Sequence, residues 1–215
     1  MKKEKVIELK PIETKRVIVT IEGDSDLVIN KMNARSQRTL VEERKDKKTV
    51  RQVANMWEDI ITAVHWRDPL PCKDTYSECD EEMYRKLLSE NAPCITAFGF
   101  KKSLGDAVTQ NKIAQYRTQF DATINIVAPN GLVPVRFGEA KIEERLMSPK
   151  KGSPVLVRLN HFVGWSADIV VDYTENVYSV DQIVNIINLA GFGKGIGSGR
   201  SSGYGRYHVV GVTAA

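Results

Sequence analysis

The stretch Gly191-Phe-Gly-Lys-Gly-Ile-Gly-Ser-Gly-Arg-Ser-Ser-Gly-Tyr-Gly205 decides how this 215-residue chain is read. It holds seven of the fifteen glycines, and its only charges are Lys194 and Arg200. Glycine has no Cβ, so such backbone can turn its amides toward an anion and let another segment approach closely. Just upstream, Ser179 and Gln182 make a capping-box pattern, and Val180, Ile183, Val184 and Ile187 form an apolar stripe. A helix over 180–190 follows, with Gly191 as its stop. Downstream, Tyr207-His-Val-Val-Gly-Val212 reads as a strand. A dinucleotide fingerprint needs the opposite order, strand then helix, because the pyrophosphate sits on the helix N-terminus. Gly193-Lys194-Gly195 likewise lacks the Gly-Lys-Ser/Thr of a phosphate loop. Both nucleotide-fold readings fail on context.

Working outward, Val17-Ile-Val-Thr-Ile21 is a β-branched run closed by Glu22-Gly-Asp-Ser-Asp26, so it predicts a strand and a turn. Leu27-Val-Ile-Asn30 is a second short extended piece. Residues 31–51 hold eight Lys/Arg, including Arg35 and Arg38, and few large apolar side chains. They predict a mobile basic arm or an exposed helix. Helical spacing returns over 52–66 and ends at Arg67-Asp-Pro-Leu-Pro71. A short acidic helix over 80–91 makes 67–94 look like an insertion. Residues 97–110 again fit a helix, with Phe100, Leu104, Ala107 and Val108 on one side and Lys101 and Lys102 on the other. Strands are expected over 122–128, 132–137, 155–159 and 165–172, the first two joined by the turn Pro129-Asn-Gly131. In the last, Trp165, Ala167, Ile169 and Val171 alternate with polar residues, as on a half-buried sheet. The sequence Glu139, Lys141, Glu143, Glu144, Arg145 reads as a solvated helix or turn. The whole predicts one α+β domain over 1–215, a ferredoxin-like βαββαβ antiparallel sheet with helices on one face. The other sheet face and the glycine run are left for a ligand.

Charge is uneven along the chain. Residues 1–51 carry fourteen Lys/Arg against nine Asp/Glu, 52–97 four against nine, and 98–160 ten against five. Two basic segments around an acidic one suit a surface that faces a polyanion. The N-terminus lacks the apolar core of a secretory signal, and no stretch approaches the ~20 apolar residues of a membrane span. Three cysteines, Cys72, Cys79 and Cys94, do not make a disulfide framework. A cytoplasmic protein without cofactor or membrane partner is expected.

The run Ile187-Asn-Leu-Ala-Gly-Phe-Gly193 through Tyr204-Gly-Arg-Tyr207 resembles the C-terminal end of the RAMP superfamily of CRISPR-associated RNA-binding proteins. There a glycine-rich loop joins the last helix to the last strand of a ferredoxin-like domain. The run is also similar to a group of uncharacterised bacteriophage-encoded proteins, which would place the chain in a host cell's cytoplasm. About thirty residues carry the motif. The resemblance implies binding of RNA or single-stranded DNA, with Gly193, Gly195, Gly197 and Gly199 near the nucleic-acid backbone. The residues themselves add cations at Lys194, Arg200 and Arg206, and rings for stacking at Phe192, Tyr204 and Tyr207. Lys101, Lys102, Lys112, Arg35 and Arg38 extend the basic surface. Self-association along a bound strand is expected of such a binder.

Other chemistry is thinly represented. Acid–base cleavage of RNA would need His65 or His161, whereas His208 alternates within a strand and reads as packing. A zinc site from His65, Cys72, Cys79 and Cys94 lacks the close Cys pair of structural zinc. The main reading is non-catalytic nucleic-acid binding. Its rivals are a protein-interaction module, such as an inhibitor or trigger of a bacterial defence system using the acidic 74–90 segment, and a metal-independent endoribonuclease.

Overall fold

The computed structural model describes residues 13–46, 55–70, 78–147 and 155–214. Residues 47–51 of the basic arm, Cys72 and Ser148-Pro-Lys-Lys151 lie outside them. The chain runs β1 (Thr14–Gly23), β2 (Leu27–Ile29), α1 (Ala34–Asp46), α2 (Met56–Thr62), β3 (His65–Trp66), α3 (Glu81–Glu90) and β4 (Pro93–Thr96). It continues with α4 (Ala97–Gln110), α5 (Arg117–Asp121), β5 (Ile124–Val127), β6 (Leu132–Pro134), β7 (Glu139–Met147), β8 (Val155–Val163), β9 (Ser166–Thr174), α6 (Val180–Gly193) and β10 (Tyr207–Ala214).

Four antiparallel strands, in the order β10-β1-β9-β5, form the main sheet. With α4 and α6 packed together, α6 against β10 and α4 against β5, the path β1-α4-β5-β9-α6-β10 is the ferredoxin-like βαββαβ arrangement. Period-two burial selects the inner face. Val17, Val19 and Ile21 of β1 meet Ala167, Ile169, Val171 and Tyr173 of β9 and Ile124 and Ile126 of β5 under the helices. Tyr207 opens β10 at the centre of this layer, with its ring edge-on to Phe100 of α4 and Trp165.

The outer face of the sheet is closed by its own charges. Arg16 grips Asp172 at 2.6 and 2.8 Å, while Arg136 and Thr20 converge on Asp168. Among the described residues its one ring is the His208 imidazole, which is held by Asp24.

Between β1 and α4 the chain makes a long excursion. β2 joins β8 and β7 in one small sheet, and β3, β4 and β6 form another. The described part of the expected insertion, 67–70 and 78–94, feeds the common core: Tyr84 and Leu87 are buried, and the Tyr84 hydroxyl donates to Asn160 Oδ1 at 2.9 Å. The basic arm is helical over 34–46. The 132–137 strand does not pair with 124–127, because the Pro129-Asn-Gly131 turn sends them into different sheets. Glu139 to Met147 is a strand rather than a helix or turn: Glu139, Lys141, Glu143 and Arg145 alternate along one side of β7, a period of two that charges can obey as well as apolar residues.

Candidate functional site

The capping box forms as the sequence indicates, with Gln182 N–H donating to Ser179 Oγ and Ser179 N–H to Gln182 Oε1. The helix, however, runs through Gly191 to Gly193. Gly191 is needed for packing rather than for stopping: a Cβ there would stand 2.0 Å from the Tyr207 carbonyl oxygen. The chain then leaves α6 with the Lys194 and Gly195 amides both donating to Ala190 O at 2.8 Å.

From here the glycine run divides into a sealed base and an open rim. Ile196, 1% exposed, plugs into the core, and the buried Ser103 hydroxyl donates to Gly195 O at 2.8 Å. Ile196 N–H reaches Gly205 O, Ser198 N–H reaches Val28 O on β2, and Gly205 N–H reaches Asp26 O, all at 2.7–3.0 Å. Gly205 sits at φ +69°, where a Cβ would lie 1.9 Å from Ile196 O, so no other residue fits there. A connection hung loosely between helix and strand is therefore not what forms. Gly195 belongs to the base, with its carbonyl occupied, and not to the rim.

The rim borders a cleft of about 590 Å³ lined by Asp106, Gly193, Lys194, Gly197, Ser198, Gly199, Arg200, Ser201 and Arg206. Gly199 and Gly203, both left-handed, bracket the single turn Arg200–Ser202 that lifts Arg200 over the opening. Arg206 braces the rim from below by donating to Phe192 O at 2.9 Å and Arg200 O at 3.4 Å, both neutral acceptors. Asp106, the cleft's one carboxylate, faces Arg117 at 3.6 Å. Among the described residues, Lys194, Arg200 and Arg206 have no carboxylate partner, nor have Lys101, Lys102 and Lys112. Lys102 lies one turn before Asp106 on the same side of α4, toward the cleft wall, and Lys112 lies past the helix end. Phe192, 84% exposed, projects from the last turn of α6.

Other expected site residues stand elsewhere. Tyr207 is buried and offers no stacking face. Tyr204 is engaged: its hydroxyl accepts from Arg145 at 3.0 Å, and His161 meets its ring edge-on at 5.0 Å. His161, only 5% exposed in the middle of β8, lies with Nε2 2.8 Å from Glu143 Oε2 and faces away from solvent. Arg145, and after it His161, hold the Glu143 carboxyl below its usual range. This group ties the β7–β8 hairpin to the glycine loop. His65 is half-buried at β3, in a smaller cleft discussed below. His208 is exposed and meets Asp24 at 2.7 Å rather than packing inside. Arg35 and Arg38 are paired, with Asp59 and Glu58 respectively. No group of three metal-type ligands occurs among the described residues, and burial pushes the Cys94 thiol up to about 11, so it stays protonated.

The sequence signal for the rim was the density of glycine. The partners that distinguish its cations from those of α1 come from distant parts of the chain and leave no local pattern.

No family model matches the chain, and no curated protein is similar to it. Among solved structures, a chain in the cryo-EM structure of Type III-B Cmr-beta bound to cognate target RNA matches 93% of this chain at 12% identity, with a TM-score of 0.50. This chain spans 60% of the length of that one. The likeness is one of fold. No helix among the described residues is long and apolar enough to cross a membrane.

Proposed function

We propose that this protein binds single-stranded nucleic acid, RNA foremost, across the glycine-loop cleft. The observation that carries the reading is the convergence of Lys194, Arg200 and Arg206 on one opening of about 590 Å³, where none of them pairs with a carboxylate among the described residues and the lining Asp106 faces Arg117 instead. Exposed backbone at Gly193, Gly197 and Gly199 lets a phosphate come close, and Lys102 and Phe192 widen the surface with a cation and a ring. Recognition is then directed at the strand's backbone rather than at its sequence. The fold it shares with a chain of an RNA-bound assembly supports this reading. Binding rather than cleavage is favoured because neither His65 nor His161 lines this cleft.

Fluorescence anisotropy with labelled single-stranded RNA and DNA over a range of salt tests it. Lys194→Ala with Arg200→Ala is expected to lower affinity about tenfold for every sequence and to reduce the salt slope by about 1.4. Unchanged affinity in that double variant refutes the assignment of the cleft. Intact labelled RNA after incubation in chelator is the expected result for a binder that does not cut.

A second reading has its own observation. A cleft of about 520 Å³ beside α3 gathers Asp68, Glu78, Asp80, Glu82 and Glu90 around Met83 and Leu87, an acidic excess that remains after Lys86 faces Glu90 and Arg67 takes Asp68 and that suits a basic protein partner. Gel filtration with and without a single-stranded oligonucleotide separates the two. Failure to form a complex at low salt moves the protein-interaction reading ahead.

A further inference from the structure

Beside the glycine-loop cleft lies a smaller one of about 150 Å³, where Lys31 at the end of β2 and His65 at the start of β3 meet Asn30, Thr96, Gly197 and Ser198. No aspartate or glutamate lines it. Lys31 is fixed by its backbone N–H, which donates to Ala63 O at 2.8 Å, and its ammonium has no carboxylate partner among the described residues. Burial lowers the pKa of Lys31; burial, and after it the charge of Lys31, lowers that of His65. A half-buried ammonium thus stands beside an imidazole that burial and this same charge keep toward its neutral form, with no carboxylate among the described residues to balance it. Such an arrangement costs free energy in the protein alone and is relieved by an anion.

The position of this cleft says which anion. It shares Gly197 and Ser198 with the glycine-loop cleft on one side. On the other it shares Asn30 and Lys31 with a further cleft of about 340 Å³, which runs on to Asn33 and whose arginines are already answered, Arg35 by Asp59 and Arg158 by Glu144. Ser198 is held at this junction by its N–H to Val28 O at 2.7 Å and its hydroxyl to Asn30 O at 3.2 Å. The three openings thus adjoin in series, each sharing two lining residues with the next.

We propose that Lys31 and His65, with the backbone at Gly197 and Ser198, form a second phosphate subsite, which takes the phosphodiester of the strand that passes over the glycine loop. The proposal rests on the nucleic-acid reading of that loop and adds the direction in which the strand leaves it, toward Lys31 and Asn33. A free phosphate presents the same tetrahedral oxyanion, so the test needs an arm for each source.

The experiment follows the His65 ring resonances by NMR in the full chain, with inorganic phosphate in one titration and a single-stranded oligoribonucleotide in another. Both ligands are expected to move the His65 resonances in the wild type, and neither in Lys31→Gln. The Lys194→Ala/Arg200→Ala variant is expected to keep the response to phosphate while needing more oligonucleotide. Lys31→Gln is expected to weaken oligonucleotide binding about tenfold. Its melting temperature should be unchanged or higher, since the charge removed is unbalanced. A lysine with a merely structural role would give a lower one. A His65 signal indifferent to both ligands overturns the subsite, as does an equal response in Lys31→Gln. A response to phosphate without one to the oligonucleotide overturns its place on the strand's path. If Lys31→Gln loses binding while the loop double variant keeps it, the loop assignment falls and the subsite stands.

Discussion

Helix α1 and the glycine loop both look basic in sequence, yet the structure treats their charges in opposite ways. On α1, Arg35 forks onto both oxygens of Asp59, and Arg38 reaches Glu58, a carboxylate only 3% exposed. Those guanidiniums hold α1 against α2. On the loop, Lys194 and Arg200 have no acidic partner among the described residues, and Arg206 spends its donors on carbonyls, which leaves its charge in place. Density of lysine and arginine therefore says little about where a polyanion can bind. What matters is whether the fold supplies a carboxylate to each cation.

The largest effect is expected from Gly205→Ala, which forces a Cβ into a left-handed position against Ile196 O. It should cost more than about 3 kcal/mol in urea unfolding and abolish binding with it, since the base of the loop cannot close. Next is Arg38→Ala, which leaves the Glu58 carboxylate buried without this partner. A loss of about 2 kcal/mol is expected, with affinity for single-stranded RNA within about twofold of wild type. A tenfold loss of affinity in a folded Arg38→Ala protein would break the comparison. The loop variant Lys194→Ala/Arg200→Ala should do the reverse, with stability changed by no more than about 0.5 kcal/mol and affinity reduced.

The sequence carried the ferredoxin-like core because each of its elements has a local signature. The β-branched run 17–21, the helical spacing over 97–110, the alternation from Trp165 and the Ser179/Gln182 box all appear where they were read. What it could not carry was pairing across distance. Ile124–Val127 and Leu132–Pro134 look like one hairpin, yet β9 and β4 claim them separately. Gly191 reads as a helix stop until Tyr207, sixteen residues later in the chain, is seen to need its bare backbone. The site followed the same division. Glycine density marked the loop, but the partners of Arg35 and Arg38 lie 24 and 20 residues away, and Lys31 meets His65 only because the chain leaving β2 and the start of β3 line one cleft.

The outer face of the main sheet gives the mildest test of the same comparison, because its cations are paired but half in water. Arg136 and Arg16 are the leading reasons that Asp168 and Asp172, respectively, sit below the usual carboxyl range. A carboxyl whose folded pKa is depressed contributes stability that is complete above its unfolded value of about 3.9, and that contribution is lost as pH falls through the lower folded value. Arg136→Ala should therefore lower stability at pH 7 by no more than about 1 kcal/mol, given the exposure of the pair. The gap to wild type should shrink as the pH is taken from about 4 toward 2. Urea midpoints at the two ends of that range measure it, and a gap that persists in acid would assign the effect to lost packing of the arginine stem instead. Affinity for single-stranded RNA should not change in this variant, since a guanidinium already answered by Asp168 has little charge to offer a phosphate.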